Sequence, residues 1–279
     1  MDVRQKCRTA GATGHSAERI DESMKRVKLI VSYDGTNYCG WQKQPNGITV
    51  EEELNKALTD LFQTPIEVIG ASRTDAGVHS LGNVAVFDTD ARMPAEKISY
   101  ALNQRLPEDI RIQDSCEVDP NFHPRYADSE KTYQYKILNT RFPQPLRRRD
   151  TFFYYQDLDV AAMQKAAGYL VGEHDFKSFC AVNAQVKSTV RTIYSCYVEK
   201  DGDLITITVT GNGFLYNMVR IIAGTLIKVG SGAIRPEEMT DILYALDREA
   251  SGPTAPACGL TMIGIEYYDD WDDWEIKNC

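Results

Sequence analysis

Asp75 is the first residue of this chain whose surroundings suggest chemistry. It stands in Gly70-Ala71-Ser72-Arg73-Thr74-Asp75-Ala76-Gly77-Val78-His79-Ser80, two residues after Arg73 and four before His79. β-prone apolar residues lead in from Ile66 to Ile69 and lead out from Asn83 to Phe87, so the stretch is expected to be a loop between two strands. Gly70, Ala76 and Gly77 let the backbone turn and let another molecule approach closely. An ionised carboxylate in such a place can act as a nucleophile. The same Asp-x-Gly pattern also makes ordinary turns in which the carboxylate bonds its own backbone, so residues elsewhere must decide between the two.

Two other groups are oddly placed. From Lys131 to Leu138 the chain alternates, putting Tyr133, Tyr135 and Ile137 on one face of a strand just after a basic link. Arg220 lies in a helical pattern between Met218-Val219 and Ile221-Ile222. A guanidinium buried there unpaired is very costly, which calls for an anion partner. The alternatives are that it snorkels to water or bonds a backbone carbonyl.

The charge distribution says more than the charge sum. The net charge is −9, but six acids against one base between Glu266 and Lys277 supply more than half of it. Between Arg125 and Arg149 seven bases face two acids, so an acidic chain still carries a basic segment that can meet nucleic acid. The seven cysteines are scattered at 7, 39, 116, 180, 196, 258 and 279 with no Cys-x-x-Cys, which implies reduced thiols, a cytoplasmic setting and no zinc frame. The four histidines are equally dispersed, so no metal site is expected. No apolar run reaches the ~18 residues of a membrane span.

The elements that would position these groups can be read in order. Residues 1–23 are polar and without period, and are expected to be a disordered arm. Val27 to Tyr33 alternates as a strand, followed by a loop, Tyr33 to Gln42, rich in Gly, aromatic and amide groups. That loop either stacks a base or folds Tyr38 and Trp41 back on the core. Thr49 and Glu52 form a capping box for an amphipathic helix ending near Thr64-Pro65. After the Asp75 loop a second helix is expected from Pro94 to about Gln104, then a strand around Ile110 to Val118. The second half reads as a strand from Lys131, a helix from Val160 to Val171 capped by Asp159, strands at 190–198 and 204–210, a helix from Phe214 to about Val229, a helix from Pro236 to Leu246, and a last strand from Leu260 to Ile265. The fold class is therefore α+β: two split-βαβ, ferredoxin-like halves, sheets joined side by side, helices on one face and a broad cleft on the other. The expected units are 24–124, carrying the Asp loop, and 125–268, with an acidic tail over 269–279.

Arg73-Thr74-Asp75-Ala76-Gly77-Val78-His79 resembles the signature of the tRNA pseudouridine synthase A family. Tyr33-Asp34-Gly35-Thr36 with Gly40-Trp41-Gln42 is similar to that family's first loop, and Phe122-His123-Pro124-Arg125 with Lys131-Thr132-Tyr133-Gln134-Tyr135 to its central segment. Gly213 to Arg220 is similar to its second-domain helix, and Ala255-Pro256 with Gly259-Leu260 to its final loop. The resemblance spans about residues 25–265; Tyr216-Asn217 stands where many members carry histidines, and Ser80 where alanine is usual. It implies a homodimeric isomerase, working without cofactor, that converts uridine to pseudouridine at positions 38–40 of the anticodon stem-loop of tRNA, with the broad cleft as its RNA-binding cleft. It further implies that Asp75 is the nucleophile, Tyr133 stacks on the base and is a candidate for proton removal, and Arg220 pairs with Asp75. Arg73 would hold the base out of its helix, with Arg125, His79, Gly259 and Leu260 also touching substrate. The rival readings are an RNA-binding module without chemistry and an Asp-dependent hydrolase or glycosidase, although glycosidases usually flank the bond with two carboxylates. Deleting residues 1–23 is expected to leave turnover on tRNA unchanged, measured as initial rates beside the full chain.

Overall fold

The alternation from Val27 becomes β1 (Lys25–Tyr33) in the computed structural model, which describes residues 24–182 and 186–268. The expectations for residues 1–23 and 269–279 lie outside the described residues. Next come α1 (Val50–Phe62), the short β2 (Ile69–Gly70), β3 (His79–Thr89), α2 (Ala95–Asn103) and β4 (Ile110–Val118). The hydroxyl of Thr49 accepts from the Glu52 amide, so Thr49 caps the start of α1, the first half of the expected box. The second half begins with β5 (Ser129–Leu138) and β6 (Phe152–Phe153), followed by α3 (Val160–Gly168), β7 (Gly172–Asp175), β8 (Val190–Asp201) and β9 (Leu204–Gly211). It closes with α4 (Met218–Gly230), α5 (Glu238–Ala245) and β10 (Leu260–Tyr267).

Among the described residues the strands make one mixed sheet in the order β4-β1-β3-β10-β5-β9-β8-β7, with β2 and β6 attached to β3 and β5. The two halves meet through β10. It runs antiparallel to β5 along most of its length but parallel to β3 at only two positions, Thr261 opposite His79 and Met262 opposite Ser80. Opposed residues share a face, so one face can be followed across the seam: Tyr33 opposite Ser80, Ser80 opposite Met262, Met262 opposite Tyr133. On that face α1 and α2 cover a core containing Val27, Leu29, Val31 and Phe87. The same face carries α3, α4 and α5 over Tyr135, Ile137, Ile205 and Ile207.

The element boundaries differ from the expected ones for local reasons. The helix expected from Phe214 starts at Met218, because Asn217 takes a left-handed conformation (φ 62°) through which an α-helix cannot run. The helix expected to reach Val171 stops at Gly168, and Leu170 is buried from outside it. Leu246, also at positive φ (52°), stops α5 one residue early. β7, Gly-Glu-His-Asp, has no alternating apolar signal and is set by pairing with the edge of β8. Met262 is fully buried where β3, β10 and β5 meet. Met262→Ala is expected to cost about 2–5 kcal/mol in urea or guanidinium unfolding.

Candidate active site

The Asp75 loop is held from outside. Its backbone accepts from Trp41 N at the Thr74 carbonyl (3.1 Å) and donates from Gly77 N to the Tyr38 carbonyl (3.2 Å). The Tyr33 hydroxyl meets the Thr74 hydroxyl at 2.8 Å. The turn itself closes through backbone, Val78 N to the Asp75 carbonyl (3.1 Å), with Gly77 at φ 78°. This accounts for the aromatic loop at 33–42. Tyr38 and Trp41 fold back into the core and brace the Asp75 loop, so they are not free to stack on a base.

With its turn closed by backbone, the Asp75 carboxylate is available for another partner. Its Oδ2 accepts from Arg220 Nη1 at 3.1 Å, and both side chains are 17% exposed. Arg220 does not grip both carboxylate oxygens with its fork, the geometry that burial of an arginine would favour. The same Nη1 also donates to Asn217 Oδ1 (3.0 Å), and Nε donates to the Ala255 carbonyl (2.8 Å). The Arg220 carbonyl in turn accepts from Ala255 N (3.1 Å). The guanidinium is thus locked by α4's first turn and by the loop before β10, and Asp75 Oδ1 has no partner among the described residues.

Asp75 lines a cavity of about 800 Å³ at the seam between the halves, and Arg220 holds it from behind that wall. The cavity lies on the side of the sheet that carries the helices and not on the helix-free face, where the cleft was expected. The reason is alternation: Tyr133 points to the same side of β5 as Tyr135 and Ile137, which are core residues beneath the helices of the second half. Tyr133 is 8% exposed and meets the edge of Phe214 at 5.2 Å between centroids. Arg73, exposed, Arg125 and Leu260 also line the cavity. Arg125 is oriented by a bond from Nη2 to the Gly70 carbonyl (3.0 Å).

His79 and Gly259 are not in the cavity wall. His79 is opposite Thr261, which is opposite Gln134, so it faces away from Tyr133. Its Nδ1 accepts from Gly35 N (3.0 Å) and lies 3.2 Å from Asp34 Oδ1, tying the first loop to β3. Gly259 is a packing residue: a Cβ there would lie 2.7 Å from Tyr135 Cζ and 2.9 Å from the Lys136 carbonyl oxygen. Lys131 from the basic segment and Phe214 and Asn217 from the second-domain motif also line the cavity, as does Arg191, which was not singled out from the sequence. The signal for Arg191 was weak, since it belongs to a segment read as a strand and only the tertiary fold turns it to this point.

The electrostatics follow from burial. Burial pushes the Asp75 carboxyl above its usual 3.8, and the Arg220 guanidinium opposes that rise only in part. The phenol of Tyr133 is pushed up to about 12, mainly by burial, with the Asp75 charge adding to the rise and Ser72 opposing it. Among the described residues no group of three or more His, Cys, Asp or Glu side chains is arranged to hold a metal ion.

A family model described as tRNA pseudouridine synthase matches residues 29–127 and 166–268. A tRNA pseudouridine synthase A from Ruminiclostridium cellulolyticum is 50% identical over 246 residues, 88% of this chain and 100% of that protein. One from Acetivibrio thermocellus is 47% identical over 244 residues, with the same coverage of each chain. A solved archaeal box H/ACA sRNP Nop10-Cbf5 complex covers 90% of this chain and 56% of its own at 11% identity; its TM-score of 0.28 is too low to carry an argument.

The raised carboxyl has a signed consequence for stability. Asp75 holds its proton more tightly folded than unfolded, so it favours the fold below its unfolded pKa and loses that contribution as pH rises through the folded value. Asp75→Asn removes the loss. The variant's Tm relative to wild type is expected to rise from about pH 4 to neutrality, measured by calorimetry across that range.

Proposed function

The chain belongs to the tRNA pseudouridine synthase A family, and we infer from its geometry that Asp75 is the nucleophile of the isomerisation. The activity is conversion of uridine to pseudouridine in tRNA. In that reaction the bond from C1′ to N1 breaks, the base turns, a bond from C1′ to C5 forms, the C5 proton leaves and N1 gains one. The observation that carries the assignment is the single ion pair: Arg220 holds Asp75 by Oδ2 and leaves Oδ1 for substrate. A carboxylate in a closed site must stay ionised to attack, and the guanidinium, which never deprotonates, is what favours that form.

Tyr133 is proposed to stack beneath the base, with Phe214 fixing its ring edge-on. To accept the C5 proton it must first lose its own, which burial and the Asp75 charge oppose; stacking needs no such step. Arg73 at the lip is proposed to occupy the place the base leaves, offsetting a few kcal/mol of lost stacking. Arg125 and Leu260 are proposed to touch substrate, and the buried positions of His79 and Gly259 favour supporting roles. The anticodon stem-loop as target, the homodimer, and 24–124 and 125–268 as the two units are further parts of the proposal, supported by the family resemblance. A cytoplasmic setting is proposed from the tRNA substrate and from the scattered cysteines, which show no Cys-x-x-Cys spacing. No helix among the described residues is long and apolar enough to cross a membrane.

Asp75→Asn is expected to abolish pseudouridine formation while leaving tRNA affinity within about threefold, read by mass analysis of product and by filter binding; turnover by the purified variant would remove the nucleophile. The wild-type single-turnover rate is expected to fall on acidification with a midpoint above 3.8, and Arg220→Gln to move that midpoint higher while lowering the plateau. An unmoved midpoint would mean that Arg220 does not keep Asp75 charged.

A further inference from the structure

We propose that Lys131, Arg125 and Arg191 together bind one phosphodiester of the substrate RNA, beside the nucleotide whose base reaches Asp75. The proposal rests on the isomerase reading above and assigns a part of the cavity that the reaction itself leaves unused. The three cations come from separate elements: the link before β5, β5 itself, and β8. Register brings two of them to one face. Lys131 is opposite Gly211, Gly211 is opposite Ile193, and Arg191 is two residues before Ile193. Lys131 is also two residues before Tyr133 on the same face, about 7 Å along the strand. That is one nucleotide's reach between a stacked base and its own backbone.

No carboxylate lining the cavity other than Asp75 is available to these cations, and Asp75 is held by Arg220. Among the described residues none of the three forms an ion pair. The two guanidiniums are aimed by backbone carbonyls that leave their charge in place: Arg125 by Gly70, Arg191 by Ser188 (3.1 Å) and Val190 (2.6 Å). Burial and these two neighbours pull the Lys131 ammonium down to about 8, so the free protein bears a repulsion that an anion would relieve. Such a cluster fits a phosphate, whose charge and acceptor oxygens suit both a guanidinium fork and an ammonium. Its aromatic neighbours, Tyr133 and Phe214, fit the base.

The test uses tRNA assembled by ligation, with an uncharged methylphosphonate placed singly on the 5′ or the 3′ side of a uridine that the wild type modifies. Each is compared with a tRNA bearing the normal phosphate and the same neighbouring 2′-O-methyl control. One of the two replacements is expected to weaken wild-type binding roughly tenfold. The same replacement is expected to cost clearly less in Lys131→Met, where one of the three contacts is already gone, and to keep its full cost in Lys131→Arg. The salt dependence of Lys131→Met binding should also be shallower by about one. Equal losses in wild type and Lys131→Met, or no loss from either replacement in the wild type, would overturn the phosphate site and leave the isomerase reading standing. The wild-type arm decides alone if Lys131→Met does not fold. Absence of pseudouridine from unmodified tRNA would instead defeat the isomerase reading, and this proposal with it.

Discussion

One ion pair joins residues 145 apart in sequence, and the architecture around it serves to keep it in place. Neither partner is satisfactory alone. Arg220 without an acceptor would be a largely buried charge, and Asp75 without a cation would tend to keep its proton. Each solves the other's difficulty, yet the contact is single. Asn217 shares Nη1 and Ala255 takes Nε, so the guanidinium is fixed in place and the carboxylate is held by one oxygen only. A symmetrical two-pronged clamp would give a tighter pair and a poorer nucleophile.

The supports for that geometry are distributed widely. The loop bearing Asp75 is braced by Tyr38 and Trp41 from the first half. The arginine is braced by the left-handed Asn217 and by the loop before β10 from the second. Rigid supports of this kind fix charge before substrate arrives, so little reorganisation is left for the reaction itself. The burial that makes this possible acts against the fold, since an ionised Asp75 is less favourable there than in water.

Much of this was legible in the residues. The amphipathic period of α1, its capping box and the alternation of β5 are local signals, and they fixed helix, strand and facing together. The Asp75 loop stood out because Arg, Asp, Gly and His crowd one turn between strands. Three things escaped. The start of α4 depends on one residue's backbone angle at Asn217, which composition does not show. The side on which the cavity opens depends on register carried across β10, a pairing between distant segments. Arg191 looked like an ordinary strand charge, because its meeting with Lys131 exists only after β5, β9 and β8 are aligned. His79 shows the converse: a place in a distinctive motif does not mean the side chain faces the chemistry.

β10 bridges β3 and β5, and the segment just before it supplies the carbonyl that holds Arg220. During synthesis, Asp75, Tyr133 and Arg220 all leave the ribosome before that strand does. A nascent chain holding all three side chains therefore still lacks the strand that seats them together.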